Sequence, residues 1–76
     1  MKIQILGSGC QKCRLLEAHA REAVAELGIQ AEFEKVANIE DIMAMGVMMT
    51  PALAVDGQVK SVGRVLTKDQ IKSLLV

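Results

Sequence analysis

Hydrophobic and polar positions divide the chain into segments with the period of a strand or of a helix. Lys2–Leu6 is a short apolar run that predicts a buried strand. From Gln11 to Leu27, apolar residues recur at steps of three and four, as they do in a helix that packs on one face. That stripe consists of Cys13, Leu16, Ala20, Ala23, Val24 and Leu27. Gly28 follows it and predicts the C-terminal end of the helix.

Three further strands are predicted in the remaining sequence. Residues 31–36 mix apolar and charged side chains, and so many charges favour a strand at the edge of the sheet. Residues 52–55 and 58–62 favour β structure, and Asp56-Gly57 between them predicts a tight hairpin turn. A strand, a helix and a second strand joined by short connections imply a right-handed parallel unit.

Two more helices complete the predicted order of elements. Asn38 predicts an N-cap with Asp41 as its capping partner, and Gly46 predicts the end of that helix. Thr67 and Gln70 form a capping-box pattern that begins the last helix. We expect the buried faces of these helices to be Ile39, Ile42 and Met43 in the first, and Ile71, Leu74 and Leu75 in the second. The predicted order is β-α-β-α-β-β-α.

Composition narrows the class of protein without naming an activity. The chain has 76 residues, of which 51% are hydrophobic, so we expect one small packed domain over residues 1–76. Nine basic and nine acidic residues cancel, and Phe33 is the only aromatic residue, which argues against nucleic acid as a partner. No apolar run approaches a membrane span, and no signal peptide is evident. We therefore expect a cytoplasmic protein with no membrane partner.

Candidate chemistry lies in Cys10 and Cys13, which follow the glycine-rich loop at residues 7–9. Residues three apart on a helix share a face, so the two sulfurs can reach one another. The positive N-terminal end of a helix favours a thiolate, and we expect Lys12 and Arg14 to lower the Cys10 pKa further. Cys10 is then the attacking nucleophile and Cys13 the resolving thiol. A structural disulfide is the weaker interpretation, because a reducing compartment favours catalytic or metal-binding cysteines.

The order of elements and three motifs resemble a known family. Cys10-Gln11-Lys12-Cys13 after the first strand, Thr50-Pro51 before the third, and Gly63 after the hairpin resemble the small thioredoxin-like redox-active disulfide proteins of archaea and anaerobic bacteria. The resemblance covers the whole chain. It implies a minimal thioredoxin fold, with a four-stranded mixed sheet in the order 2-1-3-4 and three helices. It also implies a cis peptide bond before Pro51.

The resemblance also implies a function and its partners. The protein would be a thiol-disulfide oxidoreductase, with a Cys10–Cys13 disulfide and neither cofactor nor metal. It would act as a monomer on disulfide-containing client proteins, and a thioredoxin-reductase-type donor would supply its electrons. The Thr50 backbone would hold the client as an added strand. We expect the substrate contacts to be Gly9, Gln11, Lys12, Thr50 and Pro51.

This sequence departs from thioredoxin proper around the motif. Ser8-Gly9 stand where thioredoxin has Trp before the first cysteine, and Gln11-Lys12 separate the cysteines in place of Gly-Pro. The first two strands offer no evident buried Asp that could accept a proton from the second cysteine. These differences bear on the reduction potential, on the proton transfer from the second cysteine and on the reductase partner.

Two other classes of function use similar residues. A carrier of Cu(I) or Zn(II) could bind through the two thiolates. However, heavy-metal-associated domains have Met where Ser8 stands and end in a strand. A glutathione-dependent, glutaredoxin-like enzyme would share the fold and could recruit Lys12 and Arg64 for the tripeptide carboxylates. A non-enzymatic interaction module is the third alternative.

The single histidine and the methionines have structural interpretations. His19 lies off the apolar stripe and about two turns from the sulfurs, so we expect a surface histidine. Met43, Met45, Met48 and Met49 cluster near the second helix, where methionine most often fills gaps in a core. The sharper alternative makes Met48 or Met49 part of an adaptable apolar collar for docking partners.

Overall fold

Seven elements form in the predicted order in the structure of the protein, a computed structural model that describes all 76 residues. The strands are β1 (Lys2–Leu6), β2 (Glu32–Val36), β3 (Ala52–Val55) and β4 (Gln58–Val62). The helices are α1 (Gln11–Leu27), α2 (Ile39–Ala44) and α3 (Lys68–Leu75).

The four strands form one mixed sheet in the order β2-β1-β3-β4. β1 pairs with β2 in parallel, whereas β3 runs antiparallel to both β1 and β4. The charged strand β2 lies at the edge, as its composition predicts, and its Glu34 pairs with Lys2 on β1 at 3.3 Å. The α/β fold and the 2-1-3-4 order are therefore as expected for a minimal thioredoxin fold.

Hydrophobic side chains on the two faces of the sheet form two separate clusters. On one face, Ile3, Ile5 and Leu53 pack against α1 and α3, which contribute Leu16, Ala20, Ala23 and Ile71. On the other face, Leu6, Ala52 and Ala54 pack against Ile42 of α2 and Val47. Successive strand residues point to opposite faces, so one apolar strand can serve both clusters. The sheet is thus the middle of three layers.

The predicted ends of the helices are largely confirmed. Gly28 closes α1 with a left-handed φ of 66°, and its N–H donates to the Ala25 carbonyl. Thr67 and Gln70 form the expected capping box, with bonds of 3.2 and 2.9 Å. Asn38 caps α2, but its side chain accepts from the Glu40 N–H at 2.8 Å. The predicted capping role of Asp41 is therefore wrong.

Several apolar residues that the pattern placed inside are exposed. In α2 only Ile42 is buried, whereas Ile39 and Met43 are 67% and 57% exposed. A helix of six residues makes fewer than two turns, so it can turn only a narrow stripe toward the sheet. In α3, Ile71 is buried but Leu74 is on the exposed side. The predicted inward faces of these helices were too wide.

Candidate active site

The loop after β1 brings the first cysteine to the start of α1. Gly7 is still buried, and its N–H donates to the Val36 carbonyl at 2.9 Å, which extends the β1–β2 pairing by one residue. Gly9 has a φ of 84°, a conformation that favours glycine, and it turns the chain outward. Cys10 then occupies the N-cap of α1, and its carbonyl accepts the Arg14 N–H.

The two thiols are in contact and differ sharply in exposure. The Cys10 and Cys13 Sγ atoms lie 2.9 Å apart, and both residues are free thiols. Cys10 is exposed at the end of the helix, whereas Cys13, one turn into α1, is buried with 4% of its surface exposed. The expected proximity of the two side chains is therefore present. A partner can reach Cys10 directly, and Cys13 lies within reach behind it.

The pKa values of the two thiols move in opposite directions. Hydrogen bonding from the Cys13 thiol is the largest cause that lowers the Cys10 pKa, and the backbone N–H groups of Cys13 and Lys12 lower it further. Burial raises the pKa of Cys13, and its thiol–thiol contact with Cys10 adds to this. The arrangement therefore favours a thiolate on Cys10 and a proton on Cys13. The side-chain charges of Lys12 and Arg14 are not among the main causes of the shift, contrary to expectation.

The loop before β3 lies against the same site. The Thr50–Pro51 peptide bond is cis, as the resemblance implied. A Cβ placed on Gly7 would overlap Cys13 Sγ and would lie 3.7 Å from the Thr50 Cβ. Gly7 therefore separates the buried thiol from the Thr50 loop by no more than its own backbone. The pattern gave no signal for this role, because the requirement comes from residues distant in sequence.

Pro51 is buried and fixes the other side of that loop. Its carbonyl accepts the Gly63 N–H at 2.8 Å, so the end of β4 is tied to the loop before β3. Met49 packs over Gly63, while Met48 and Met49 are 81% and 64% exposed. With Met43 also exposed, the prediction that these methionines fill a core gap is wrong; only Met45 is half-buried.

The remaining substrate-contact candidates lie around the exposed thiol. Gly9, Gln11 and Lys12 are all exposed at the start of α1. A cavity opens behind them and beside Cys13, and it is lined by Ile5, Gly7, Ser8, Gly9, Cys13, Arg14, Glu17, Lys35 and Ala37. The sequence pattern predicted Glu17 on the solvent side of α1, paired with Arg21, and did not assign Glu17 or Lys35 to this site. The pair with Arg21 is present, but the Glu17 side chain is only 14% exposed. The four-residue spacing from Cys13 was a signal for Glu17 alone, and Lys35 had none.

His19 does not belong to this site. It is half-buried, and its Nδ1 lies 2.7 Å from the Leu66 carbonyl, so it joins α1 to the segment before α3. The expectation of a surface histidine is corrected, because the chain segment leading into α3 covers this side of α1.

Comparison with known proteins supports the class of protein that this fold and dithiol define. The family described as "Thioredoxin domain" matches residues 1–76. A thioredoxin of Methanothermobacter thermautotrophicus is 55% identical over 75 residues, and the match covers 99% of this chain and 97% of that protein. A thioredoxin of Methanocaldococcus jannaschii is 38% identical over 73 residues, and the match covers 96% of this chain and 84% of that protein.

The chain therefore belongs to the thioredoxin domain family, and it is a thiol-disulfide oxidoreductase. Its β-α-β-α-β-β-α order and its 2-1-3-4 sheet are those of a thioredoxin domain, so the fold does not support the metal-carrier alternative. No helix in the structure has the length and apolar character that crossing a membrane requires.

Proposed function

We propose that Cys10 is the attacking nucleophile and Cys13 the resolving thiol in a cycle that reduces disulfides of client proteins. One observation carries this assignment: an exposed sulfur with a lowered pKa lies 2.9 Å from a buried sulfur with a raised pKa. The nucleophile in thiol-disulfide exchange is a thiolate that can be reached from solvent. Only Cys10 combines both properties.

The cycle balances as two exchanges. The Cys10 thiolate attacks one sulfur of a client disulfide, forms a mixed disulfide and releases the other client sulfur as a thiolate. Cys13, once deprotonated, attacks Cys10 Sγ, forms the Cys10–Cys13 disulfide and releases the second client thiolate. Two electrons pass to the client, and protons from solvent and from Cys13 complete its two thiols. A donor of two electrons must then restore the dithiol.

The client would bind along the loop before β3 in this proposal. Thr50 is exposed, and its Cβ lies near Gly7, which contacts the buried Cys13 thiol. We infer that the Thr50 backbone receives the client. An extended client segment could pair there as an added strand. Exposed Gly9, Gln11 and Lys12 would contact the client on the other side of Cys10, and Pro51 would shape the loop from below.

The proposal also covers the source of electrons, the direction of electron flow and the cellular compartment. Thioredoxins in general act on disulfide-bonded proteins and accept electrons from reductase donors, and the two relatives carry the name thioredoxin. We expect the same of this chain, working as a monomer in a reducing cytoplasm. Comparing turnover with a thioredoxin-type reductase against turnover with glutathione separates this proposal from the glutaredoxin-like alternative.

The central experiment replaces each cysteine in turn and follows the reduction of insulin disulfides. Cys10→Ser should abolish the activity, since no exposed thiolate remains. Cys13→Ser should also stop turnover but should accumulate a mixed disulfide on Cys10, visible by mass spectrometry. Activity that survives Cys10→Ser would contradict the assignment and favour an interaction module. Stoichiometric Cu(I) binding by an inactive wild-type protein would favour the metal carrier.

A further inference from the structure

The buried thiol shares its cavity with one ion-paired carboxylate. Cys13 and Glu17 are one turn apart on α1, so their side chains lie on the same face, and both line the cavity behind the loop after β1. The Glu17 side chain is only 14% exposed. It is the only carboxylate among the residues that line this cavity. A carboxylate that is largely buried stays ionised only if nearby cations or hydrogen-bond donors stabilise its charge.

Two cations from different directions hold that carboxylate. Arg21, the next turn of α1, approaches Glu17 Oε2 with Nη2 at 2.9 Å and Nε at 3.0 Å. Lys35 reaches across from β2 and places its Nζ 3.2 Å from Oε1. Burial raises the Glu17 pKa, but hydrogen bonds and charges from Arg21 and Lys35 outweigh it and hold the pKa below its usual value. Glu17 is therefore ionised at neutral pH and can accept a proton.

The reaction requires such an acceptor. Cys13 is protonated in the resting dithiol, because burial raises its pKa, yet only its thiolate can attack the mixed disulfide. The charged groups that line the cavity around it are Arg14, Glu17 and Lys35. Arg14 and Lys35 are already cations, so neither can accept a further proton. We propose that Glu17 is the group that takes the proton from Cys13 when the mixed disulfide is resolved.

This step balances within the exchange. The Cys13 S–H bond breaks and its proton passes through the cavity to the Glu17 carboxylate, while the sulfur keeps the electron pair. That sulfur bonds to Cys10 Sγ, the bond between Cys10 and the client breaks, and the client sulfur leaves as a thiolate. The protonated Glu17 then returns the proton to solvent or to the departing thiolate. Lys35 and Arg21 act as positioning residues for the carboxylate.

The test uses Ellman's reagent at stoichiometric concentration with the fully reduced protein in a stopped-flow instrument. Attack by Cys10 releases the first nitrothiobenzoate, and resolution by Cys13 releases the second. Glu17→Gln should leave the first phase unchanged and slow the second about tenfold below pH 7. The effect should be smaller than the roughly 10²–10⁴-fold of a general base with a pKa near neutrality, because Arg21 and Lys35 hold the Glu17 pKa low. The deficit should disappear as the pH rises through the Cys13 pKa. Glu22→Gln, on the exposed side of the same helix, is the matched control.

Other roles for Glu17 give different results. A merely structural role would slow the second phase equally at every pH. A purely electrostatic role would speed it, because removing a negative charge beside Cys13 lowers the Cys13 pKa. Either result, or an unchanged second phase, overturns the proposal.

A second variant keeps the test decisive if Glu17→Gln folds poorly. Lys35→Met removes one cation and raises the Glu17 pKa, so the acidic limb of the second phase should move to higher pH; an unmoved limb contradicts the proposal. The inference rests on the proposed roles of Cys10 and Cys13. If Cys13→Ser still shows the second phase, those roles fail, whatever Glu17 does.

Discussion

The absence of a side chain at Gly7 leaves the space that the Cys13 thiol occupies. A Cβ at this position would overlap Cys13 Sγ. We expect Gly7→Ala to push the buried thiol away from Cys10 and to lower the free energy of unfolding by about 1–3 kcal/mol, as overpacking does. The midpoint of urea unfolding measures the loss. Ser8→Ala, at the exposed neighbouring position, should leave the midpoint unchanged. If Gly7→Ala also leaves it unchanged, the space around Gly7 is not crowded.

The titration of Cys10 tests the electrostatic origin of its reactivity. Its pKa lies below that of an ordinary thiol, mainly because the Cys13 thiol hydrogen-bonds to it. The rate of Cys10 alkylation by iodoacetamide should therefore rise with pH and reach its midpoint below the pKa of a free cysteine, about 8.5. Cys13→Ala removes the largest cause, so the midpoint should shift upward. A wild-type midpoint at or above the free-cysteine value would remove the basis for calling Cys10 the nucleophile.

Ser61 carries a buried hydroxyl that makes no hydrogen bond. It lies on β4 opposite Leu53, and its Oγ has no partner. An unpaired buried polar group costs free energy that replacement by an apolar group of similar size recovers. We expect Ser61→Ala to raise the free energy of unfolding by about 1 kcal/mol. Urea unfolding again supplies the measurement, and a destabilised variant would mean that the hydroxyl has a partner in solution.

At the scale of elements, the sequence pattern predicted the long helix and the strands better than the short helix. α1 shows its apolar stripe over 17 residues, so a few ambiguous positions do not change the buried face. α2 has six residues and one buried side chain, and neither Ile39 nor Met43 could be distinguished from Ile42 by spacing alone. Contacts with the sheet decide which of them is covered, and those depend on how the connecting segments place the helix.

The residues of the candidate site also divide into those that the sequence pattern predicted and those that it did not. Cys10 and Cys13 could be found from sequence because both lie on one helix, where spacing fixes proximity. Gly7 could not be found from spacing, because its requirement involves Cys13 and Thr50 at once. Lys35 is an exposed residue of an edge strand whose role appears only once β2 lies beside α1. Local patterns therefore predict the proximity of the two thiols, whereas the groups around them depend on tertiary packing.

The capping box at α3 tests how much one helix end contributes. The Thr67 hydroxyl accepts the Gln70 N–H, and the Gln70 side chain accepts the Thr67 N–H. Thr67→Ala removes the first bond and should lower the free energy of unfolding by about 1 kcal/mol. Ser73→Ala, near the other end of α3, is the control and should have a smaller effect. No loss of stability in Thr67→Ala would indicate that packing of Ile71, and not the capping box, holds α3 in place.

Viewed as a whole molecule, the protein places its exposed apolar side chains unevenly. Ile39, Met43, Met48 and Met49 are all exposed on α2 and the segment that leads from it to Thr50. The chain has no net charge, so it offers no strong electrostatic attraction to a partner. Contact with clients would then depend on apolar area next to the reactive thiol, and flexible methionines suit partners of varied shape.

This view predicts that client reduction and small-molecule reduction can be separated. Met48→Gln and Met49→Gln keep the length of the side chain but remove apolar contact area. We expect the pair to lower kcat/KM for insulin about fivefold, equivalent to about 1 kcal/mol of lost apolar contact. The rate with Ellman's reagent should not change, because that reagent needs only the exposed Cys10 thiolate. Leu74→Gln, an exposed apolar residue on α3, is the control for general changes in solubility. If both substrates slow together, the methionines support the loop before β3 rather than the client, and the packing of Met49 over Gly63 would be the reason.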